Sequence, residues 1–184
     1  FYTKSVTVPY LHSYSHRSKT ASVDHREETS MKIYSSCKEG IRSCIETQTF
    51  SAAHLYSYEK PMDIHIHDCY EIYYSISGGK QFLIDNRFYT FNPGDIFFIN
   101  QYESHYLSQI DNVKHERIIV SIYPDYLKQC CSGKTDLNYC FTCRNTNFGH
   151  KISLSLEEQK RFLYFIHKLS ELSLIHISEP TRPY

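Results

Sequence analysis

The clearest pattern in the chain is an alternation. From 69 to 76 the odd positions are Cys69, Glu71, Tyr73 and Ser75, and the even positions are Tyr70, Ile72, Tyr74 and Ile76. A period of two puts successive side chains on opposite faces of a strand. A strand over 70–77 therefore packs its even face against apolar groups and turns its odd face to a more polar site. Similar short runs recur. Phe50 to Tyr58 reads as a strand, and Pro61 breaks the pattern before Ile64. Gly78-Gly79 turns the chain. Strands at 80–84 and 87–91 flank Asp85-Asn86, two residue types that tolerate positive φ in a hairpin. Asn92-Pro93-Gly94 turns again, since proline fixes one φ and glycine permits a left-handed residue. Ile96 to Ile99 is wholly apolar, as in a strand covered on both faces. Residues 102–108, with His105, predict a strand, Asp111-Asn112 a turn, and 116–123 a β-branched strand stopped by Pro124.

After Pro124 the texture changes. Residues 125–131 predict a short helix and 132–151 a loop. Ser155-Leu156-Glu157-Glu158 fits a capping box, and Phe162, Phe165, Ile166 and Leu169 follow at helical spacing. Residues 38–47 show no clear period. Short strands at close spacing argue for a sandwich or barrel, and closing the sheet removes exposed edges. The pattern predicts a mainly β fold, a sandwich or barrel followed by a C-terminal amphipathic helix.

Boundaries follow from the same texture. Residues 1–30 are rich in Ser, Thr, Tyr and His without a steady period, and Met31 opens a regular stretch. The leader 1–30 is therefore expected to be disordered or non-native. The barrel spans 31–128, a loop-rich linker 129–154, and the start of a helical dimerisation element 155–171. The string from Leu172 to Arg182 resembles a translated sequencing-library adapter, so 172–184 is set aside as a tail and His176 is given no role.

Composition narrows the function. Lys+Arg and Asp+Glu number 20 each, which leaves no basic surplus for gripping phosphates. Any contact with DNA must then come from elsewhere. Seven cysteines without a preceding charged-then-apolar signal segment fit a reducing cytoplasm. No apolar run approaches the ~20 residues that span a bilayer.

The candidate chemistry lies at His65-x-His67-x-x-x-Glu71, with His105 downstream. On a strand these side chains share a face. Such a set can hold a divalent metal (iron, manganese, zinc or nickel), hydrogen-bond a polar ligand, or form an interior polar network. Tyr73 shares the face and can reach a ligand. Cys130-Cys131, Cys140-x-x-Cys143 and His150 form a weaker zinc pattern, because the adjacent pair has unusual spacing.

The same residues carry a resemblance. His65-x-His67-x-x-x-Glu71 with six further residues to Gly78 is similar to the first cupin motif, although Glu59 stands where its leading glycine falls. Gly94 and His105 fit the second motif; Asn100 replaces its proline, Tyr102 its glycine and Gln109 its closing asparagine. More specifically, the run from His65 to Tyr74, then Phe91-Asn92-Pro93-Gly94-Asp95-Ile96, then His105, Glu116-Arg117 and Ile122-Tyr123-Pro124-x-Tyr126-Leu127, resembles the N-terminal sensor half of AraC-type transcriptional regulators. The resemblance implies a cupin-like double-stranded β-helix that binds a small-molecule effector, sugar-like molecules included, inside the barrel. His65, His67, Glu71, Tyr73 and His105 would be the ligand-binding set. It also implies a homodimer through the C-terminal helix, DNA contact only through a following helix-turn-helix half, and a cytoplasmic protein without catalysis, membrane or required cofactor. The alternative is a small metal-dependent cupin enzyme of isomerase or dioxygenase type, with His65, His67, Glu71 and His105 as metal ligands.

Overall fold

The computed structural model describes residues 32–58, 63–109, 114–143 and 149–175. The leader over 1–30, the break at Pro61, the turn at Asp111-Asn112 and tail residues 176–184 lie outside them. In chain order the elements are β1 (Ile33–Tyr34), α1 (Cys37–Thr47), β2 (Phe50–Tyr58), β3 (Tyr70–Ser75), β4 (Gly79–Ile84), β5 (Arg87–Phe91), β6 (Asp95–Ile99), β7 (His105–Gln109), β8 (Lys114–Ile122), α2 (Pro124–Gln129), α3 (Tyr139–Thr142), β9 (Lys151–Ser153) and α4 (Leu156–Ile175).

Strands β1-β2-β8-β3-β6-β9 form one sheet and β5-β4-β7 a second. Apart from the parallel β1–β2 pair, the pairings are antiparallel. The two sheets share one core. Ala53, Leu55, Tyr73, Phe97, Ile99 and Ile119 come from the larger sheet, and Phe82, Ile84, Phe91 and Leu107 from the smaller. Two largely antiparallel sheets sharing one interior make the cupin-like jelly-roll that the resemblance implies.

The alternation along β3 is realised on both faces. Tyr73 points into the shared core, while Tyr70 and Tyr74 point outward. The outer face is covered in two places. Phe141 of α3 stacks on Tyr70 with ring centroids 4.4 Å apart, beside Leu127 of α2. Phe162 and Ile166 of α4 cover Tyr74, Ile96 and Ile118.

Two stretches differ from expectation. Residues 38–47 form α1, capped by Ser36, whose Oγ accepts from the Glu39 amide, and ended by left-handed Gln48. Its buried residues are Gly40 and Cys44. A helix that buries small residues carries little of the large-apolar period by which helices are recognised. The region 129–154 contains α3 and β9, not only loop, while α4 runs into the set-aside tail as expected, through Ile175.

The Asn92-Pro93-Gly94-Asp95 turn proves to be the seat of the last helix. Buried Asp95 receives Lys151 Nζ at 3.2 Å, Ser153 Oγ at 2.5 Å and the Asn92 amide at 2.9 Å. The Gly94 carbonyl accepts the Leu154 amide at 3.1 Å. Gly94 has φ +88°, and a Cβ there would collide with the side chain of Gln159 on α4. Glycine is thus required twice at this position, for its backbone and for the approach of the helix. The Ser155–Glu158 capping box forms as predicted, with Glu158 Oε2 accepting from the Ser155 amide and Oγ at 2.8 and 2.7 Å.

Candidate functional site

His65, His67, Glu71 and His105 converge at one end of the barrel. His65 and His67 do not belong to a strand. They lie on an extended segment that touches β7 through a single bridge, with His65 and His105 exchanging backbone hydrogen bonds at 3.1 and 3.3 Å. Alternation still operates there, with an inverted sense. Ile64 and Ile66 face outward, about 60% exposed, and His67 is buried.

Each imidazole is oriented by a main-chain carbonyl. Nδ1–H donates to Asp63 O in His65 (3.1 Å), to Cys69 O in His67 (2.9 Å) and to Glu103 O in His105 (2.8 Å). Each carbonyl fixes a tautomer and leaves Nε2 for the cluster. The ligand nitrogens of the three rings lie within 4.8 Å of one another. Glu71 Oε2 is 3.0 Å from His67 Nε2 and 3.7 Å from His105 Nε2.

Protonation follows from this arrangement. Burial alone would raise the pKa of Glu71, but the nearby charge of His105 and the hydrogen bond and charge of His67 outweigh it and hold the carboxyl well below its ordinary range. Burial would lower His67, yet its hydrogen bonds to Cys69 and Glu71 hold it at about 10. His105 is raised as well, since Glu71 outweighs its burial. His65 is lowered by its own burial and by the neighbouring His105. The resting cluster thus contains a buried carboxylate beside a protonated imidazole, with His65 as a neutral lone-pair donor.

Among the described residues, an inner and an outer space adjoin the cluster. Inside the barrel, a cavity of about 10 Å³ is lined by His65, Glu71, Tyr73, Phe82, His105 and Arg117, among others. That is room for about one water among the described residues. Outside lies a cleft of about 810 Å³ between α1 and the 63–67 segment. Cys37, Lys38, Ile41, Arg42, Ile45 and Glu46 form one wall, and Asp63, His65, Ile66 and His67 the other. His65 and Cys37 border both spaces.

Tyr73 sits below the cluster. Its hydroxyl donates to His115 Nε2 at 2.6 Å, and His115 Nδ1 lies 3.3 Å from Ser77 Oγ. Burial and the nearby Arg117 charge push the His115 pKa down to about 4, so the ring is neutral at neutral pH. The α1 wall, His115 and Arg117 were not among the site residues expected from sequence. Because α1 itself escaped notice, so did its contribution to the site. The cysteine pattern behaves differently. Among the described residues, the group with metal-ligand geometry is His65, His67 and His105. Cys131 Sγ instead organises the turn that follows, accepting from the Leu137 amide and Asn138 Nδ2, and His150 joins Tyr89 and Glu103.

Comparison with known proteins adds three findings. The family described as AraC-like ligand binding domain matches residues 49–172. Among curated proteins, the chain is similar to an uncharacterized HTH-type transcriptional regulator, YbfI of Bacillus subtilis (strain 168), with 26% identity over 129 residues. The match covers 64% of this chain and 46% of YbfI, so the chain spans about half the length of that relative. Among solved structures it is similar to unsaturated fatty acid bound wild-type ToxT from Vibrio cholerae, at 10% identity and a TM-score of 0.47, covering 67% of this chain and 46% of that one. It is also similar to an RmlC-like cupin from Shewanella frigidimarina, at 16% identity and a TM-score of 0.37, covering 42% and 71%.

Proposed function

Since the chain belongs to the AraC-like ligand-binding domain family, a regulatory sensor domain, we propose that it binds a small-molecule effector in the cleft between α1 and the 63–67 segment and passes the binding event to a DNA-binding half. One observation carries this reading: the roomy space next to the imidazole cluster is that cleft, whose inner wall is His65 and His67. Its volume falls in the usual range for small-molecule sites. Ile41, Ile45 and Ile66 offer an apolar face, while His65, His67, Lys38, Arg42 and Asp63 offer polar partners. A small molecule with one polar edge and one apolar face, such as a sugar-like compound, suits that lining. The family and the regulator relative favour binding over catalysis, so the metal-dependent enzyme remains the lesser alternative.

In the complete protein the HTH half would supply the contacts to DNA, as the balanced charge of this chain suggests. A homodimer would form through α4, whose Leu163, Tyr164 and Phe165 remain exposed while Phe162 and Ile166 cover the sheet.

A second reading has its own support. Three imidazoles tethered through Nδ1–H, with their ligand nitrogens gathered, fit a divalent metal, with Glu71 as a further ligand. A metal there would supply a Lewis-acidic anchor for effector oxygen atoms. It would also compete with the proton on His67 for the same lone pair.

Thermal melts against a panel of sugars and small polar metabolites, with and without a chelator, test both readings. A true effector at 100 times its Kd adds ~2.7 kcal/mol of stability. Filling the cleft with Ile45→Trp should abolish the shift. A ligand shift that Ile45→Trp leaves intact would place the site elsewhere, and a shift lost only on chelation would favour the metal.

A further inference from the structure

Among the described residues, Glu103 touches both the imidazole cluster and the seat of α4. Glu103 lies in the turn between β6 and β7. Its carbonyl accepts His105 Nδ1–H at 2.8 Å. Its carboxylate accepts the Asn100 amide at 2.7 Å and lies 3.1 Å from His150 Nε2, with side-chain exposures of 14% and 5% for Glu103 and His150. His150 Nδ1 is 2.8 Å from the Tyr89 hydroxyl, which also accepts the His150 amide at 3.3 Å. With Tyr89 O–H donating to Nδ1, Nε2 is left beside the carboxylate at ion-pair distance, without a formed hydrogen bond. The His150 carbonyl accepts the Phe98 amide of β6 at 2.9 Å. The next residues, Lys151 and Ser153, are fastened to Asp95, and α4 begins at Leu156.

We propose that Glu103 is a positioning residue that couples the ligand site to α4: its main chain orients His105, and its side chain holds the segment from which the helix springs. The proposal rests on the cleft and its imidazoles being the effector site. A ligand that turns or draws on His105 pulls on the Glu103 carbonyl. The turn has little slack to absorb that pull, because the carboxylate is pinned to its own Asn100 amide and Tyr102 is already held at φ +59°. Non-glycine residues in that region store strain that the surroundings must maintain. Displacement therefore passes to His150, a buried ring that lies against that carboxylate and is held on its other side by Tyr89. β9 contributes only three residues to the sheet, so its register depends heavily on these polar clasps. The effector then acts by favouring one seating of α4.

A cycle of amide-exchange measurements tests this in the full chain without any effector. The four proteins are wild type, His105→Gln, Glu103→Ala and the double variant. His105→Gln should speed exchange across 149–159 by about 3-fold or more, as expected for residues in one network. Once Glu103 is alanine, adding His105→Gln should change that region no further. Effects on 149–159 that multiply independently, or a His105→Gln effect confined to 63–71 and 104–109, would overturn the proposal. If Glu103→Ala fails to protect the β3 and β8 amides, His150→Phe cuts the same link from its other end, and the cycle is repeated with it. Because no effector is used, failure here leaves the cleft reading standing. Failure of the cleft to take a ligand, with the cycle intact, would leave a link with a different input.

Discussion

Replacing Glu71 with glutamine isolates the electrostatics of the site. The carboxylate is buried between His67 Nε2 at 3.0 Å and His105 Nε2 at 3.7 Å. The glutamine amide would keep the volume but not the charge, so His67 would lose the partner that holds its proton. Breaking a buried, hydrogen-bonded ion pair costs ~3–5 kcal/mol. Glutamine still accepts one hydrogen bond, so the lower end, about 3 kcal/mol, is expected. For a chain of this length ~1 kcal/mol moves Tm by ~2–4 °C, which gives a drop of about 6–12 °C. The pH dependence is more specific. His67 and His105 have raised pKa values, so their stabilisation is full below 6.5 and is lost as pH rises, for His67 through about 10. Glu71 is depressed, so its stabilisation is full above its ordinary 4.5 and is lost only on acidification. Wild type should therefore lose stability between pH 6.5 and 9, at up to ~1.4 kcal/mol per pH unit for each proton released. Glu71→Gln should flatten that slope. His65 and His115, both depressed, add slopes of the opposite kind at lower pH. His115 does not feel Glu71 and cancels in the comparison, and the slope of His65, which does feel it, lies below pH 6.5, so the window above 6.5 isolates the pair. Thermal and urea melts at pH 5.5, 7 and 9 in the presence of chelator provide the measurement. A variant within about 2 °C of wild type, with the same slope from pH 7 to 9, would refute the ion pair.

Three further outcomes follow from packing and backbone. Gly94→Ala must push Gln159 aside at a left-handed position and should cost ~1–3 kcal/mol, whereas Gly133→Ala, with open space around it, should stay within ~0.5 kcal/mol by the same melts. Phe141→Ala removes the ring stacked on Tyr70 and should cost ~3 kcal/mol while leaving the imidazole cluster intact; a loss under ~1 kcal/mol would show that α3 merely rests on the sheet. Tyr102→Gly relieves the left-handed strain at φ +59° but gives up the hydroxyl contact with Asp68, so unchanged or slightly raised stability is expected in the same melts. A clear loss would mean that the contact outweighs the strain.

The strands were legible because their turns are chemically marked. Asp85 takes φ +51° and Gly94 φ +88°, and these reversals fix where β5 and β6 begin. β2 and β5 occupy the predicted residues without adjustment. What stayed hidden lacked a periodic signature. α1 buries Gly40 and Cys44, too small to stand out. β9 is three residues held by a carboxylate 56 positions upstream in sequence. Tyr102, which stands where the motif has glycine, takes a left-handed backbone at φ +59°, the conformation glycine adopts most readily.

The site shows where alternation stops informing. Period two states which face a side chain takes, not how deep it lies. Each two-residue step along a strand advances ~6.6 Å, so Tyr73 shares the face of Glu71 but falls one level lower, against His115 and the aromatic core. On β8 the same parity carries His115, Arg117, Ile119 and Ser121 inward, but Ile118 on the opposite face is equally buried beneath α4. Burial on both sides erases the contrast by which inward polar residues would be recognised. The imidazoles were found because three histidines and a glutamate at motif spacing are rare enough to notice without a strand beneath them. Glu103 and His150 had no such mark. One is an acidic turn residue and the other a histidine beyond a cysteine-rich stretch, and only the fold brings their side chains to 3.1 Å. Residues that form a site can be read locally, whereas residues that connect a site to a helix are defined by contacts between distant segments, and sequence carries those contacts only through the fold.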